Sequence, residues 1–86
     1  MEWRIKYIEE GKILFIKTKG EMRRSSNYSM LKEIAVEIVK YNCRSCLVDH
    51  RDITKALNTV DIYYQAKNLK ELNVPQNIRI AVMHPH

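Results

Sequence analysis

Residues 12–18, KILFIKT, place apolar side chains on both faces of an extended chain, with Ile13 and Phe15 on one side and Leu14 and Ile16 on the other. A strand that must bury both faces belongs inside a sheet, so this run predicts a central strand. The run before it, residues 2–9, alternates Trp3, Ile5 and Tyr7 with Glu2, Arg4 and Lys6. That period of two is the pattern of a half-exposed edge strand. Glu9-Glu10-Gly11-Lys12 separates the two runs, and the pair reads as an antiparallel hairpin.

After Gly20, which is expected to end the second strand, Ser25, Ser26 and Asn27 are candidate helix caps, since their side chains accept from free backbone N–H groups. Tyr28, Leu31, Ile34, Ala35, Ile38 and Val39 then recur at helical spacing, and Lys32, Glu33, Glu37 and Lys40 fill the opposite side. This predicts an amphipathic helix docked on the sheet. Residues 45–49, SCLVD, read as a buried strand ending near Asp49, followed by a polar loop over 50–57. Asn58 or Thr59 caps a second expected helix, with Asp61 in its first turn, an apolar stripe of Ile62, Tyr63, Ala66 and Leu69, and a stop at Asn73 and Pro75. Residues 78–83, IRIAVM, form the last strand.

The expected order is therefore β-β-α-β-α-β, an α/β fold. Helical connections make strands two, three and four parallel, with right-handed crossovers, while strand one is antiparallel. The prediction is a four-stranded mixed sheet in order 1-2-3-4 with both helices on one face. At 86 residues a single domain spanning 1–86 is expected, with a small core.

Charge narrows the partners. Fifteen Lys and Arg against ten Asp and Glu give +5, but the basic residues are dispersed, with Arg23-Arg24 the one tight pair. Dispersed charge describes a solvated surface rather than a stripe that tracks phosphates, so nucleic acid is not expected as a partner. No run approaches the ~18 apolar residues of a membrane span, and the charged, alternating opening MEWRIKYIEE does not have the pattern of a secretory signal. With no membrane insertion and two cysteines too close in sequence to staple much chain, a reducing cytoplasm is the expected setting.

The stretch NCRSCLVDHRD, residues 42–52, holds both cysteines and a histidine and raises a metal or redox reading. Reactive C-x-x-C pairs sit at helix N-termini, where the dipole lowers a thiol pKa; Cys43 follows a helix C-terminus. His50 lies four residues beyond Cys46 along a strand, ~13 Å away, too far to share a metal. The cysteines are expected to pack or stand idle, and no cofactor is expected. His50, His84 and His86 gather at the edge where parallel strands end, a metal or anion site on one reading and exposed histidines on the other. No nucleophile elbow and no glycine-rich phosphate loop occurs, so no catalytic residues are assigned and no enzyme is expected.

The same carboxyl edge collects Arg23 and Arg24 after strand two, Asp49, Arg51 and Asp52 after strand three, and the helix starts near Ser25–Asn27 and Asn58–Thr59. Open α/β sheets bind ligands outside the carboxyl ends of their strands, and helix N-termini attract anions. Arg23, Arg24, Asp49, Arg51, Asn58 and Thr59 are thus the candidate partner- or anion-binding residues. For Asp49 an internal role stands beside this one, accepting loop N–H groups while Arg51 pairs with Asp52.

With Gly20-Glu21 closing strand two, L-V-D-H-R-D-I-T closing strand three and R-I-A-V in the last strand, the chain resembles the STAS/SpoIIAA-like proteins, the anti-sigma-factor-antagonist-like domains. The resemblance implies a non-catalytic, regulatory protein-interaction module with a protein partner. In the signalling members a serine at the start of the helix after strand three is phosphorylated; here Leu57-Asn58-Thr59-Val60 stands where they carry Asp-Ser-Ser-Gly, leaving Thr59 as the hydroxyl. Such domains continue with a further helix, strand and helix, which the resemblance implies are lacking after residue 86. The alternative is a small-ligand domain that takes an anion or a lipid-like molecule at the carboxyl edge. An open last strand also predicts a homo-oligomer through the sheet edge or face.

Overall fold

In a computed structural model of the chain, which describes residues 1–58, 60, 67–68, 70–72, 74 and 77–84, the expected hairpin forms first. Strand β1 (Glu2–Ile8) pairs antiparallel with β2 (Ile13–Glu21), Ile5 opposite Ile16 and Tyr7 opposite Leu14. The turn closes with the Lys12 N–H donating to the Glu9 carbonyl at 3.1 Å, and Gly11 takes φ +83, a left-handed conformation that favours glycine. Strand β3 (Ser45–Lys55) pairs parallel with β2, and β4 (Arg79–Met83) parallel with β3, giving the order β1-β2-β3-β4. The mixed α/β sheet, its order and its single antiparallel strand are as the sequence predicts.

Helix α1 (Arg24–Tyr41) connects β2 to β3. Its cap is Arg23, not Ser25–Asn27, which lie inside the first turn. The reason is local: Arg23 is extended, its N–H donates to Ser26 Oγ at 3.3 Å, and the Ser26 hydroxyl donates back to the Arg23 carbonyl at 3.1 Å. The helix ends at Asn42, in the left-handed region at φ 51, where the Cys43 N–H donates to the Ile38 carbonyl at 3.0 Å. The buried stripe is Asn27, Met30, Leu31, Ile34, Ala35 and Ile38. Val39, expected on that stripe, is 70% exposed, because the buried face turns through Ile34 and Ile38 and leaves Val39 beside Val36 in solvent.

Leu14 and Ile16 of β2 and Cys46 and Val48 of β3 meet this stripe, and the three together form the core. Trp3, Ile5 and Tyr7 of β1 pack half-buried against it. Tyr7 stacks on Tyr41 at 4.3 Å between ring centroids, and the Trp3 indole N–H donates to Glu33 at 2.7 Å, so α1 clamps β1 at both ends.

Two strands run further than their apolar residues. Gly20 does not end β2, which continues to Glu21, and β3 continues through the polar residues 50–55 that read as loop. The polar tails pair with each other: Lys19 opposes Asp52, Gly20 opposes Ile53, and Glu21 opposes Lys55. Ile53 is buried. Among the described residues α1 is the one helix with defined bounds. The second expected helix rests on Thr59, Asp61, Ile62, Tyr63, Ala66 and Leu69, which lie outside the described residues, as do Asn73 and Pro75. Among the described residues the sheet thus has one helix, α1, and the expected pair on one face is not shown.

Candidate functional site at the carboxyl edge

Where β2 and β3 run side by side toward their carboxyl ends, the register slips. Lys17 opposes Asp49 and Lys19 opposes Asp52, so two steps on β2 match three on β3. This is a β-bulge, which re-aims side chains at a sheet end. It brings Lys17 Nζ between two carboxylates, 3.4 Å from Asp49 and 3.3 Å from Asp52.

Asp49 is the buried centre of the cluster, with a side chain 1% exposed. Its Oδ1 accepts from the Arg51 backbone N–H and from Arg51 Nε, each at 3.0 Å, and Oδ2 accepts from an Arg51 terminal nitrogen at 2.9 Å. Residues i and i+2 of a strand share a face, and that is why this pair meets. The Arg51 hydrogen bonds, side chain first and backbone second, hold the Asp49 carboxyl well below the usual carboxylate range. Arg51 therefore pairs with Asp49 and not with Asp52, whose partner is Lys17. The Arg51 side chain nevertheless stays 56% exposed: it is anchored on one side and presented to solvent on the other.

On the opposite face of β3, His50 points toward α1. Thr18, fully buried, donates its hydroxyl proton to the Asp49 carbonyl at 3.0 Å, which leaves its oxygen to accept from His50 Nδ1–H at 2.6 Å. This arrangement assigns the free nitrogen of the neutral ring to Nε2. Burial first, and the nearby His84 second, push the His50 pKa below its ordinary 6.5, against the pull of Asp49. Asp49 and His50 lie on opposite faces, and Asp49 is engaged by Arg51 and Lys17, so its carboxylate does not join His50 and His84 in one site. Among the described residues no group of three His, Cys, Asp or Glu side chains is placed to hold a metal. His86 lies outside the described residues.

The remaining candidates fall at a second, smaller cluster further along the edge. Glu21 forms ion pairs with Arg23 Nε at 3.7 Å and with Lys55 Nζ at 3.8 Å, and the Met22 N–H donates to the Lys55 carbonyl at 2.9 Å. Arg23 and Lys55 are exposed. Arg24 and Ser25 line a cavity of about 580 Å³ with Tyr28 and Asn68. Asn58 is exposed and has an interaction of its own, and Thr59 lies outside the described residues. The expected single site is thus two adjacent ones, Asp49–Arg51–Lys17–Asp52 and Glu21–Arg23–Lys55. Lys17, Thr18 and Lys55 were not among the candidates, since their part depends on the parallel pairing of two polar tails. A cavity of about 290 Å³ opens beside the first cluster, with Trp3, Arg4, Lys17, Lys19 and Asp52 in its wall.

At the amino edge Cys43 and Cys46 are free and buried. Burial raises both thiol pKa values, that of Cys46 to about 11, so both remain protonated near neutrality. A larger cavity, about 750 Å³, opens there among Asn42, Cys43, Arg44 and Arg79, at the end of the sheet away from the Asp49 cluster.

No family model matches the chain, and no curated protein matches it. Among solved structures it is similar to one described as "Crystal Structure Analysis of Mglu in its native form", at TM-score 0.62 and 13% identity. The match covers 95% of this chain and 23% of that one, so this chain spans less than a quarter of that protein. At such identity the likeness is one of fold: a small α/β unit with a four-stranded mixed sheet in order 1-2-3-4 and strand one antiparallel.

Proposed function

We propose that the chain is a non-catalytic regulatory protein-interaction module of STAS-like type, which meets its partner at the carboxyl edge of the sheet. One observation supports this above the others: the buried Asp49 carboxylate is consumed in orienting Arg51, while the Arg51 guanidinium faces solvent. A guanidinium fixed in direction before contact loses less freedom on binding a carboxylate or phosphate. Arg23 and Lys55 extend the positive rim, which suits an acidic surface on the partner and speeds its encounter. The reading includes a cytoplasmic setting, consistent with two free thiols, and a second helix between β3 and β4. A parallel pair needs a crossover connection, in most proteins a helix, and the Leu72 N–H donates to the Asn68 carbonyl at 3.0 Å, a helical i to i−4 bond.

A second reading, an anionic small ligand at the same edge, draws on the cavity beside Trp3, where Arg4, Lys17 and Lys19 outnumber Glu2 and Asp52 in the wall. Two assays separate the readings. Affinity capture with the native chain, Arg51→Lys and Arg51→Ala should recover one protein that Arg51→Lys holds weakly and Arg51→Ala loses, because Lys cannot reproduce the bidentate geometry. Recovery of the same proteins by all three chains would defeat the interaction reading. A thermal shift with inorganic phosphate or a nucleotide, absent in Arg51→Ala, would support the ligand reading instead.

A further inference from the structure

Strand β4 carries its own interface. Its outer edge has no strand beside it among the described residues, and its helix-side residues Ile80 and Val82 are 49% and 40% exposed. The direction of its free backbone groups follows from one hydrogen bond. The Arg79 N–H donates to the Arg44 carbonyl at 3.2 Å, and Arg79 is the Cα partner of Ser45. In a parallel ladder the N–H and C=O of one residue point to the same side and alternate along the strand. Arg79, Ala81 and Met83 therefore bond to β3, and Ile80 and Val82 direct their N–H and C=O outward.

We infer that two copies of this chain associate by antiparallel pairing of β4 with β4 about a two-fold axis at Ala81. In that register Ile80 opposes Val82 of the second copy, Ala81 opposes Ala81, and Arg79 opposes Met83. Both members of each Ile80–Val82 pair point their backbone groups outward, so each pair exchanges two hydrogen bonds. Sliding the register by one residue would match outward groups with inward ones and lose them. The side chains agree as well. Ile80 and Val82 of the two copies pack together on the helix side, and the small Ala81 side chains meet on the axis. No like charges face each other, because the strand's one formally charged residue, Arg79, lies against Met83. The result is a continuous eight-stranded sheet with both α1 helices on the same face. The two copies match through the isologous, self-complementary contact of a two-fold dimer.

A partner's segment of other sequence would also satisfy the free backbone, but the self-complementarity of RIAVM selects a second copy. Five paired residues bury less than the roughly 800 Å² per partner of a standard interface, so the dimer is weak and forms in the micromolar range. This inference concerns the β4 edge and stands or falls apart from the carboxyl-edge reading.

The axis residue provides the test. Opposed residues that do not exchange hydrogen bonds have Cα atoms about 4.5 Å apart, within disulfide range. On mild oxidation Ala81→Cys should form a covalent dimer, while the native chain, whose two thiols are buried, stays monomeric on a non-reducing gel. Adding Val82→Lys to Ala81→Cys should reduce the cross-link at least tenfold; adding Val39→Lys, on the exposed side of α1, should leave it unchanged. Sedimentation of the native chain should show a mass that doubles between low and high micromolar concentration. A constant monomer mass, or a cross-link unaffected by Val82→Lys, overturns the proposal.

Discussion

The sheet has two edge strands, and they are finished differently. Strand β1 interleaves its apolar residues with Glu2, Arg4 and Lys6, and α1 covers Trp3, Ile5 and Tyr7 through the Tyr41 stack and the Glu33 hydrogen bond. Charges along one face and a helix against the other are two of the ways in which natural sheets block edge-to-edge pairing. Among the described residues strand β4 shows neither device: after Arg79 it is Ile-Ala-Val-Met, and its helix-side residues Ile80 and Val82 are half in solvent. The contrast shows that an edge is closed by what its sequence places across it, not by its position in the sheet. The protection of β1 also depends on α1, so it reaches the edge from thirty residues away along the chain.

This comparison can be broken at several points, in descending order of effect. Leu14→Ala removes a fully buried side chain that both halves of the sheet share, and it should cost about 2–5 kcal/mol in urea unfolding. Both edges would then loosen together. Trp3→Ala strips the cover of β1 alone and should cost about 1–3 kcal/mol. If the helix clamp is what closes β1, this variant should also aggregate at concentrations where the native chain does not, as followed by light scattering. Acidification should act on the β3–β4 side. His50 has a folded pKa below 6.5, so the unfolded chain binds the proton more readily. Stability is therefore full above about pH 6.5 and declines as the pH falls through that value toward the lower folded pKa. The melting temperature should drop across this window in the native chain and drop less in His50→Gln. The smallest change in stability should come from Val82→Lys, within about 0.5 kcal/mol of the native chain, since the site is already exposed. That charge should make β4 as closed as β1 and abolish association.

Much of this fold can be read from local patterns. The alternation of β1, the two-faced apolar run of β2 and the spacing of α1 each contain their own signal, and the strand order follows from the connections. The continuation of β3 does not. His-Arg-Asp-Ile-Thr-Lys has the composition of a loop, and it becomes strand because the equally polar tail of β2 pairs with it. Neither tail reveals this alone. The candidate site shows the same division. Asp49 and Arg51 were legible as residues, and the period of two along a strand puts them on one face, yet Asp52 is the nearer carboxylate in sequence. The bulge that gives Asp52 to Lys17 is a property of two strands in register, and so is the role of Thr18. The cap at Arg23 was hidden because Ser26 works from inside the helix, where its hydroxyl serves the Arg23 backbone.

Hydrogen exchange read residue by residue tests the contrast between the edges most directly. With the protein raised from low to high micromolar concentration, the amides of Ile80 and Val82 should gain protection, while those on the outer edge of β1 keep their rates. Rates at Ile80 and Val82 that do not depend on concentration, or protection that appears on β1 instead, would contradict the account.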